Sequence, residues 1–565
     1  MYSFFSYVKL YKKYFILGSF FKMIEASVEL FIPFVMASVL SGNDKQFYTR
    51  MTLIMLAIVV LGSALATLGQ YFSARAAAAV SHKMREDIYE KINSLEFYDI
   101  DKIGTASLIN RLTADVNSIQ NAVLIFVRIA LRAPFLIAGS ILFAMLIDGG
   151  IALIIVACLP FLAASFYIIT KRLVPKYTEI QKILDAVTLE TKEDLEGIRV
   201  VRAFNKRERE ITEFKGYTQK HASMSVQAGK MSAGLGPINT FIINVGVIAI
   251  VYFVGMAVNA TPPRFEVANI SAFITYMVQI VTALNMITTL TLNIVKAAAS
   301  NKRVKEIFYT STSLAKEEGS IPKSGRFNSI LEYKNVSFGY DKDGAVLKDV
   351  SFSLKCGETL GIIGGTGSGK TTLINLIPRF YDVKSGKIIY KGVDIHKYPV
   401  SALRKEITVI AQEAAIFSGS VKENIRFGSS ASDEDVIRAA KIAQAHDFIE
   451  NIPGGYDGTI EQNGRNLSGG QKQRLSIARG IARNSEIIIF DDSFSALDYI
   501  TESKLREALT ELKSTKIIIS QRASSIVYAD KILVLYKGEV AGAGTHKELL
   551  ESCRVYKDIY DSQNI

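Results

Sequence analysis

Hydrophobic and polar positions divide the chain into two unlike parts. In the first part, apolar residues run for about 20 or more positions at a time, enough to cross a bilayer as helices. Six such runs fall at about Tyr14–Leu40, Met51–Phe72, Ala122–Ile147, Ile151–Thr170, Pro237–Val258 and Ile270–Ile294, predicting a helical membrane domain over residues 1–300. The connections alternate in length. Those around Ser41–Arg50, Asp148–Gly150 and Asn259–Asn269 are short, whereas Ser73–Asn121 and Lys171–Gly236 are long and rich in basic residues, including Lys171, Arg172, Lys176, Arg199 and Arg202. An excess of Lys and Arg marks cytoplasmic loops, so the long connections, the start of the chain and everything after the sixth run are placed in the cytoplasm. Ile180, Ile183, Leu184 and Val187 recur at helical spacing, so the membrane helices are expected to continue into the cytoplasm and turn near Phe97–Thr105 and Val200–Arg209.

In the second part the long apolar runs stop. A linker is expected over 301–328, most polar at Glu317–Asn328, and short β-rich segments begin near Ser329, opening a soluble α/β domain over 329–565. An apolar strand, Thr359–Ile363, leads into Gly364, Gly365, Thr366, Gly367, Ser368, Gly369, Lys370, Thr371 and Thr372. That run fits G-x-x-x-x-G-K-[ST], in which glycines let backbone N–H groups close around phosphates, the lysine reaches the β- and γ-phosphates and the hydroxyl ligates magnesium. ATP or GTP with Mg2+ is therefore the expected ligand, with Lys370 and Thr371 in those roles. A second apolar strand, Ile487–Phe490, ends in Asp491 and Asp492, placing Asp491 to hold magnesium. A third element, NLSGGQKQR at Asn466–Arg474, opens a helix expected from about Gln471 to Arg483. A second anion-binding helix start in one domain has a use if it serves a nucleotide held by another subunit.

The formal net charge of +12 fits basic cytoplasmic loops better than a nucleic-acid partner, and none is expected. The three cysteines, Cys158, Cys356 and Cys553, lack the spacing of a disulfide framework or zinc site. A cleavable signal peptide is not expected, because the first apolar run is too long and lacks a small-residue cleavage site. Lys22, Glu25 and Glu29 share one face of the first helix, either binding cationic substrate or pairing internally. Arg128 and Arg132 are placed near the inner end of the third helix, snorkelling. Tyr276, Gln279 and Asn285 either line a translocation path or pack and bond between helices, the second being favoured.

The order GGTGSGKTT, LSGGQ and a strand running through Asp491 into SALD at Ser495–Asp498 resembles an ABC-type ATPase domain. With the six runs before it, essentially the whole chain resembles a half-transporter of the type IV exporter class. The resemblance implies a membrane domain with long cytoplasmic helices, and an α/β ATPase domain with an antiparallel β subdomain and a helical subdomain. It implies that Tyr340 in VSFGY stacks on adenine, and that Gln412 in VIAQE contacts magnesium and the membrane domain. Ser468, Gly469, Gly470 and Gln471 would complete the partner's ATP site in a head-to-tail dimer, with Ser495 and Asp498 in the loop beside it. The turns at Phe97–Thr105 and Val200–Arg209 match the coupling helices, the first docking mainly on its own ATPase domain and the second on the partner's.

Two positions depart from the family pattern. The residue after Asp491 is normally Glu, which polarises the attacking water; here it is Asp492. The switch position, normally His, carries Gln521. Either could be a working substitute in a slow homodimer. Together they favour a division of labour: a degenerate ATP site in this chain, and an intact LSGGQ lent to a partner that carries Glu and His. That pattern resembles heterodimeric bacterial multidrug exporters in the plasma membrane, moving amphipathic, drug-like compounds. An importer, a lipid or peptide exporter and an ATP-gated channel or regulatory subunit are the alternatives. IEQNGRN at Ile460–Asn466 also departs from the common VGERG.

Overall fold

The computed structural model describes residues 4–40, 45–258, 269–310, 327–340 and 344–563. They fall into two compact units, Met1–Ser94 with Ile103–Ser311, and Leu95–Lys102 with Thr312–Ile565. Parts of the connections around Ser41–Arg50 and Asn259–Asn269, and most of the polar segment Glu317–Asn328, lie outside the described residues.

The first unit is helical. Its long members are Lys12–Leu40, Lys45–Asn93, Gly149–Glu196, Arg207–Val258 and Asn269–Tyr309, with a broken helix over Val116–Ile129 and Arg132–Ile147. The break at Ala130–Leu131 precedes Pro134, whose missing N–H leaves the carbonyl four residues back without its helical donor. Helices of 48 and 52 residues measure roughly 72 and 78 Å at 1.5 Å per residue, far longer than a bilayer core, so the predicted cytoplasmic extensions are continuous helix. Among the described residues, five helices are long and apolar enough to span a membrane. The first of the six predicted crossings is not among them. It lies on Lys12–Leu40, 29 residues long, where Lys22, Glu25 and Glu29 interrupt the apolar run.

Those charges are paired internally. Lys22 Nζ lies 2.5 Å from Glu25, and Arg132 reaches Glu25 at 3.2 Å and Glu29 at 2.8 Å. Snorkelling therefore does not describe Arg132, whose guanidinium is turned inward by two carboxylates of the neighbouring helix. Tyr276 is fully buried and donates to the Leu30 carbonyl, while Gln279 donates to the Glu29 carbonyl and accepts from Ser140. Both serve helix–helix bonding; Asn285 is exposed. The last helix runs to Tyr309, past the boundary predicted at 300, because Val304 and Ile307 are buried and Arg303 is ion-paired to Asp115.

The second unit is built on a six-stranded sheet in the order Glu539–Gly544, Lys531–Tyr536, Thr359–Ile363, Thr515–Ile519, Ile487–Asp491 and Ile407–Ile410. Every pairing is parallel except that of the edge strand Glu539–Gly544. Strands Ile487–Asp491 and Thr515–Ile519 are buried at every position, as parallel strands covered on both faces must be. A four-stranded antiparallel sheet, led by Leu331–Phe338 and Leu347–Leu354, covers one face through a core that includes Tyr333, Leu373 and Ile517. Helices Val421–Arg426, Asp433–Ile442 and Gly469–Ala482 share the core on the other, around Phe490 and Leu475. The register sets Ile519 beside both Ile362 and Asp491, so the loops following three adjacent strands emerge side by side. Crevices at the carboxyl ends of such strands are where parallel sheets bind ligands.

Candidate nucleotide site

Those three loops line a cleft of about 270 Å3, together with Val346, Gln412 and Ile519. The first loop supplies Thr366, Gly367, Ser368, Gly369, Lys370, Thr371 and Thr372, the second Asp491 and Asp492, the third Gln521. Gly364 and Gly365 are set behind it, their carbonyls accepting from Lys370 Nζ at 2.7 and 2.8 Å. Gly369 sits at φ +100, where a Cβ would also meet the Leu347 side chain at 2.8 Å, so a tight turn delivers Lys370 to the start of the helix Lys370–Asn375.

The polar groups of this cleft are only partly satisfied by the protein. Ser368 Oγ is buried without a hydrogen-bond partner, which is costly unless a ligand engages it. Burial pushes the Lys370 ammonium below its ordinary value, opposed by the charges of Asp492 and Asp491. Burial also raises both carboxyls above the usual range. A triphosphate fits this arrangement, because it offers Lys370 anionic oxygens in place of loop carbonyls and gives Ser368 an acceptor. Thr371 Oγ1 donates to Asp491 Oδ1 at 3.2 Å, a pair of hard oxygens suited to magnesium.

Asp492 lines the cleft between two amides. It stands at φ +46, a region that Asp tolerates better than most residues, and its backbone N–H donates to the Ile519 carbonyl. Its Oδ2 accepts from Gln412 Nε2 and from Gln521 Nε2, each at 3.4 Å. The two departures from the family pattern are thus in mutual contact. Ser495 Oγ donates to the Asp492 carbonyl at 2.7 Å, and Asp498 caps the helix Tyr499–Leu509, the bond from Thr501 holding its carboxyl below the usual range.

Other predicted residues stand apart. Tyr340 does not line the cleft; its hydroxyl is 3.1 Å from Thr372 Oγ1, and its ring meets Tyr381 edge-on at 5.3 Å. Tyr381 in turn donates to Asp101 at 2.8 Å, and Phe97 packs on Phe380 at 4.4 Å; of the first predicted turn, residues 97–102 group with the ATPase unit and 103–105 with the helical one. No motif marked Tyr381 or Asp101; the aromatic pair Phe380–Tyr381 was the available signal. Ser468, Gly469, Gly470 and Gln471 are likewise outside the cleft. Ser468 and Gly469 are exposed, and Ser468 forms a capping box with Gln471, so the helix starts at Gly469 rather than Gln471.

A substitution at Gly364 tests the fit of the loop. A Cβ there would lie 2.2 Å from the Leu535 carbonyl oxygen and 2.7 Å from Ser368 Oγ. Gly364→Ala is expected to weaken Mg-ATP binding at least roughly tenfold, the loss of about one charge-assisted hydrogen bond. Titration with a fluorescent nucleotide measures this, and unchanged affinity would show that the loop shifts freely.

The chain matches the family models described as ABC transporter transmembrane region, over residues 15–284, and ABC transporter, over 347–495. It is 35% identical over 545 residues to the ABC transporter ATP-binding protein YfiB of Bacillus subtilis, covering 95% of this chain and 94% of that one. It is 32% identical over 486 residues to the ATP-dependent lipid A-core flippase of Syntrophus aciditrophicus, covering 85% and 80%. A solved structure of a bacterial Atm1-family ABC exporter with ATP bound shares the fold, with a TM-score of 0.83 over 98% of this chain and 100% of that one at 23% identity. With a helical membrane unit, a phosphate loop on a buried parallel sheet and relatives matched nearly end to end, the chain belongs to the ABC transporter family, a transport ATPase of the plasma membrane whose ATPase domain is cytoplasmic.

Proposed function

We propose that this chain is one half of a heterodimeric exporter of small amphipathic or drug-like compounds, holding a degenerate ATP site and lending its LSGGQ to a competent site in its partner. The observation that carries this is the cluster of Asp492, Gln521 and Gln412 lining the cleft. The carboxylate that should polarise the attacking water is about 1 Å shorter in reach than Glu, and both amides approach it. Lys370, Ser368 and the loop N–H groups bind and orient the triphosphate, which needs neither Glu nor His. Magnesium, held by Thr371 and Asp491 with Gln412 nearby, would screen the phosphate charge during in-line attack. Asp492 is left to hold water at a distance that slows its activation, so ATP stays bound longer than at a competent site. Exposed Ser468 and Gly469 support donation of the signature helix across a dimer, and exposed Val200 and Phe204 support docking of the second turn on a partner.

The test is steady-state Mg-ATP hydrolysis by the full chain alone in lipid, with nucleotide binding measured on the same sample. Binding with turnover well below about 1 per second is expected. Turnover of several per second would overturn the division of labour. Similarity to a lipid A-core flippase supports a second reading, in which the exported compound is a lipid; stimulation of the reconstituted heterodimer by lipid rather than drug-like amphiphiles separates the two.

A further inference from the structure

The switch residue is held from outside the nucleotide cleft by a side chain that no motif marks. Gln563 Nε2 donates to the Gln521 carbonyl at 2.7 Å, and the Ala523 N–H donates to Gln563 Oε1, also at 2.7 Å. A carboxamide carries a donating NH2 and an accepting oxygen in one plane, so a single side chain spans C=O of one residue and N–H two residues on, as a neighbouring strand would. The clasp therefore brackets the turn that carries Gln521.

The two sides of the clasp are firmly based. Gln563 follows the helix Arg554–Asp561, whose Tyr556 is fully buried and whose hydroxyl is 2.8 Å from His546 Nδ1. Cys553, before that helix, is buried against Gly542. Beyond Ala523 the segment is tied to a different element: Ser525 donates to the buried Glu502 carboxylate at 2.6 Å, and Arg506 donates to the Ser524 carbonyl at 2.5 Å. On the cleft side, Gln521 meets Asp492 through its side-chain Nε2 at 3.4 Å and through its backbone N–H. Strand Thr515–Ile519 fixes where the turn begins, Glu502 and Arg506 fix where it ends, and Gln563 holds the Gln521 carbonyl between them.

We propose that Gln563 is a positioning residue for the nucleotide switch, aiming the Gln521 side chain at the γ-phosphate. This rests on the assignment of Gln521 as the residue that meets that phosphate. A side chain that sets only the aim of Gln521 changes discrimination between nucleotides with and without a γ-phosphate, and leaves affinity for the diphosphate alone.

Affinities for Mg-ATPγS and Mg-ADP are measured by competition against a fluorescent nucleotide, on the full chain in lipid, for the natural protein, Gln563→Met and Gln521→Ala. Met keeps the length of Gln without its hydrogen bonds, so packing is preserved. The expected result is a preference for ATPγS over ADP reduced about three- to tenfold in both variants, with ADP affinity and thermal unfolding unchanged in Gln563→Met. A preference unchanged in Gln563→Met but reduced in Gln521→Ala overturns the clasp and leaves the switch assignment standing. A preference unchanged in both overturns the switch assignment, and the clasp with it. Equal loss of both nucleotides in Gln563→Met overturns an aiming role in favour of a structural one.

Discussion

The Asp492→Glu, Gln521→His double variant, purified alone in lipid, is expected to hydrolyse Mg-ATP on the order of a hundredfold faster than the natural chain. The cleft already contains what binds and orients the triphosphate: Ser368 with a free hydroxyl, Lys370 held at the loop, and Thr371 beside Asp491. The carboxylate of Asp492 is close to Gln412 and Gln521 but ends one methylene short of the family's Glu. Lengthening it moves the base by about 1 Å, the scale on which positioning costs two orders of magnitude. His at 521 adds a group that can carry a proton and a charge near neutral pH, which an amide cannot. The backbone opposes the change slightly, since φ +46 at position 492 suits Asp better than Glu. Steady-state phosphate release measures the gain. If the double variant turns over no faster while binding Mg-ATP normally, side-chain reach does not limit this site.

The second large effect is expected in the membrane unit. Arg132 lies between Glu25 and Glu29, and Glu25 also takes Lys22, so four charges on two helices are balanced. Lys22, Glu25 and Arg132 have side chains no more than 18% exposed. Arg132→Leu removes one member and leaves carboxylates facing each other without their shared cation. Breaking a buried pair from one side costs about 3–5 kcal/mol. Glu29 is 39% exposed and can rehydrate, so a value near the lower end, about 3 kcal/mol, is expected. Adding Glu25→Gln and Glu29→Gln to Arg132→Leu should recover most of the loss, because the charges left behind are then neutral. Thermal unfolding of the three proteins in the same lipid measures this. Equal midpoints for Arg132→Leu and the natural chain would show that the network carries no stability and leave its carboxylates free for another role.

Much of this was legible in the residues themselves. Long apolar runs report membrane helices because a lipid-exposed backbone must bond within its own segment, which makes hydropathy a local property. The phosphate loop and LSGGQ are legible for a similar reason, since a short stretch with its own glycines and caps does the chemistry. The substitutions at 492 and 521 could be found by position alone. Other features depended on residues distant in sequence. The ion pairing of the two glutamates with Lys22 is completed by Arg132, more than a hundred residues away, which packing places beside them. The helix continued beyond 300 because Asp115 waits for Arg303. Tyr381, Asp101 and Gln563 belong to no motif, since an aromatic, an acid and an amide are ordinary until the fold sets them against Tyr340 and Gln521. Local sequence thus determined which elements form and which loop can hold phosphate, because those depend on neighbours in the chain. The tertiary structure decided which charges are neutralised and which side chains meet Gln521, because hydrogen bonds and ion pairs require partners within about 3 Å whatever their separation along the chain.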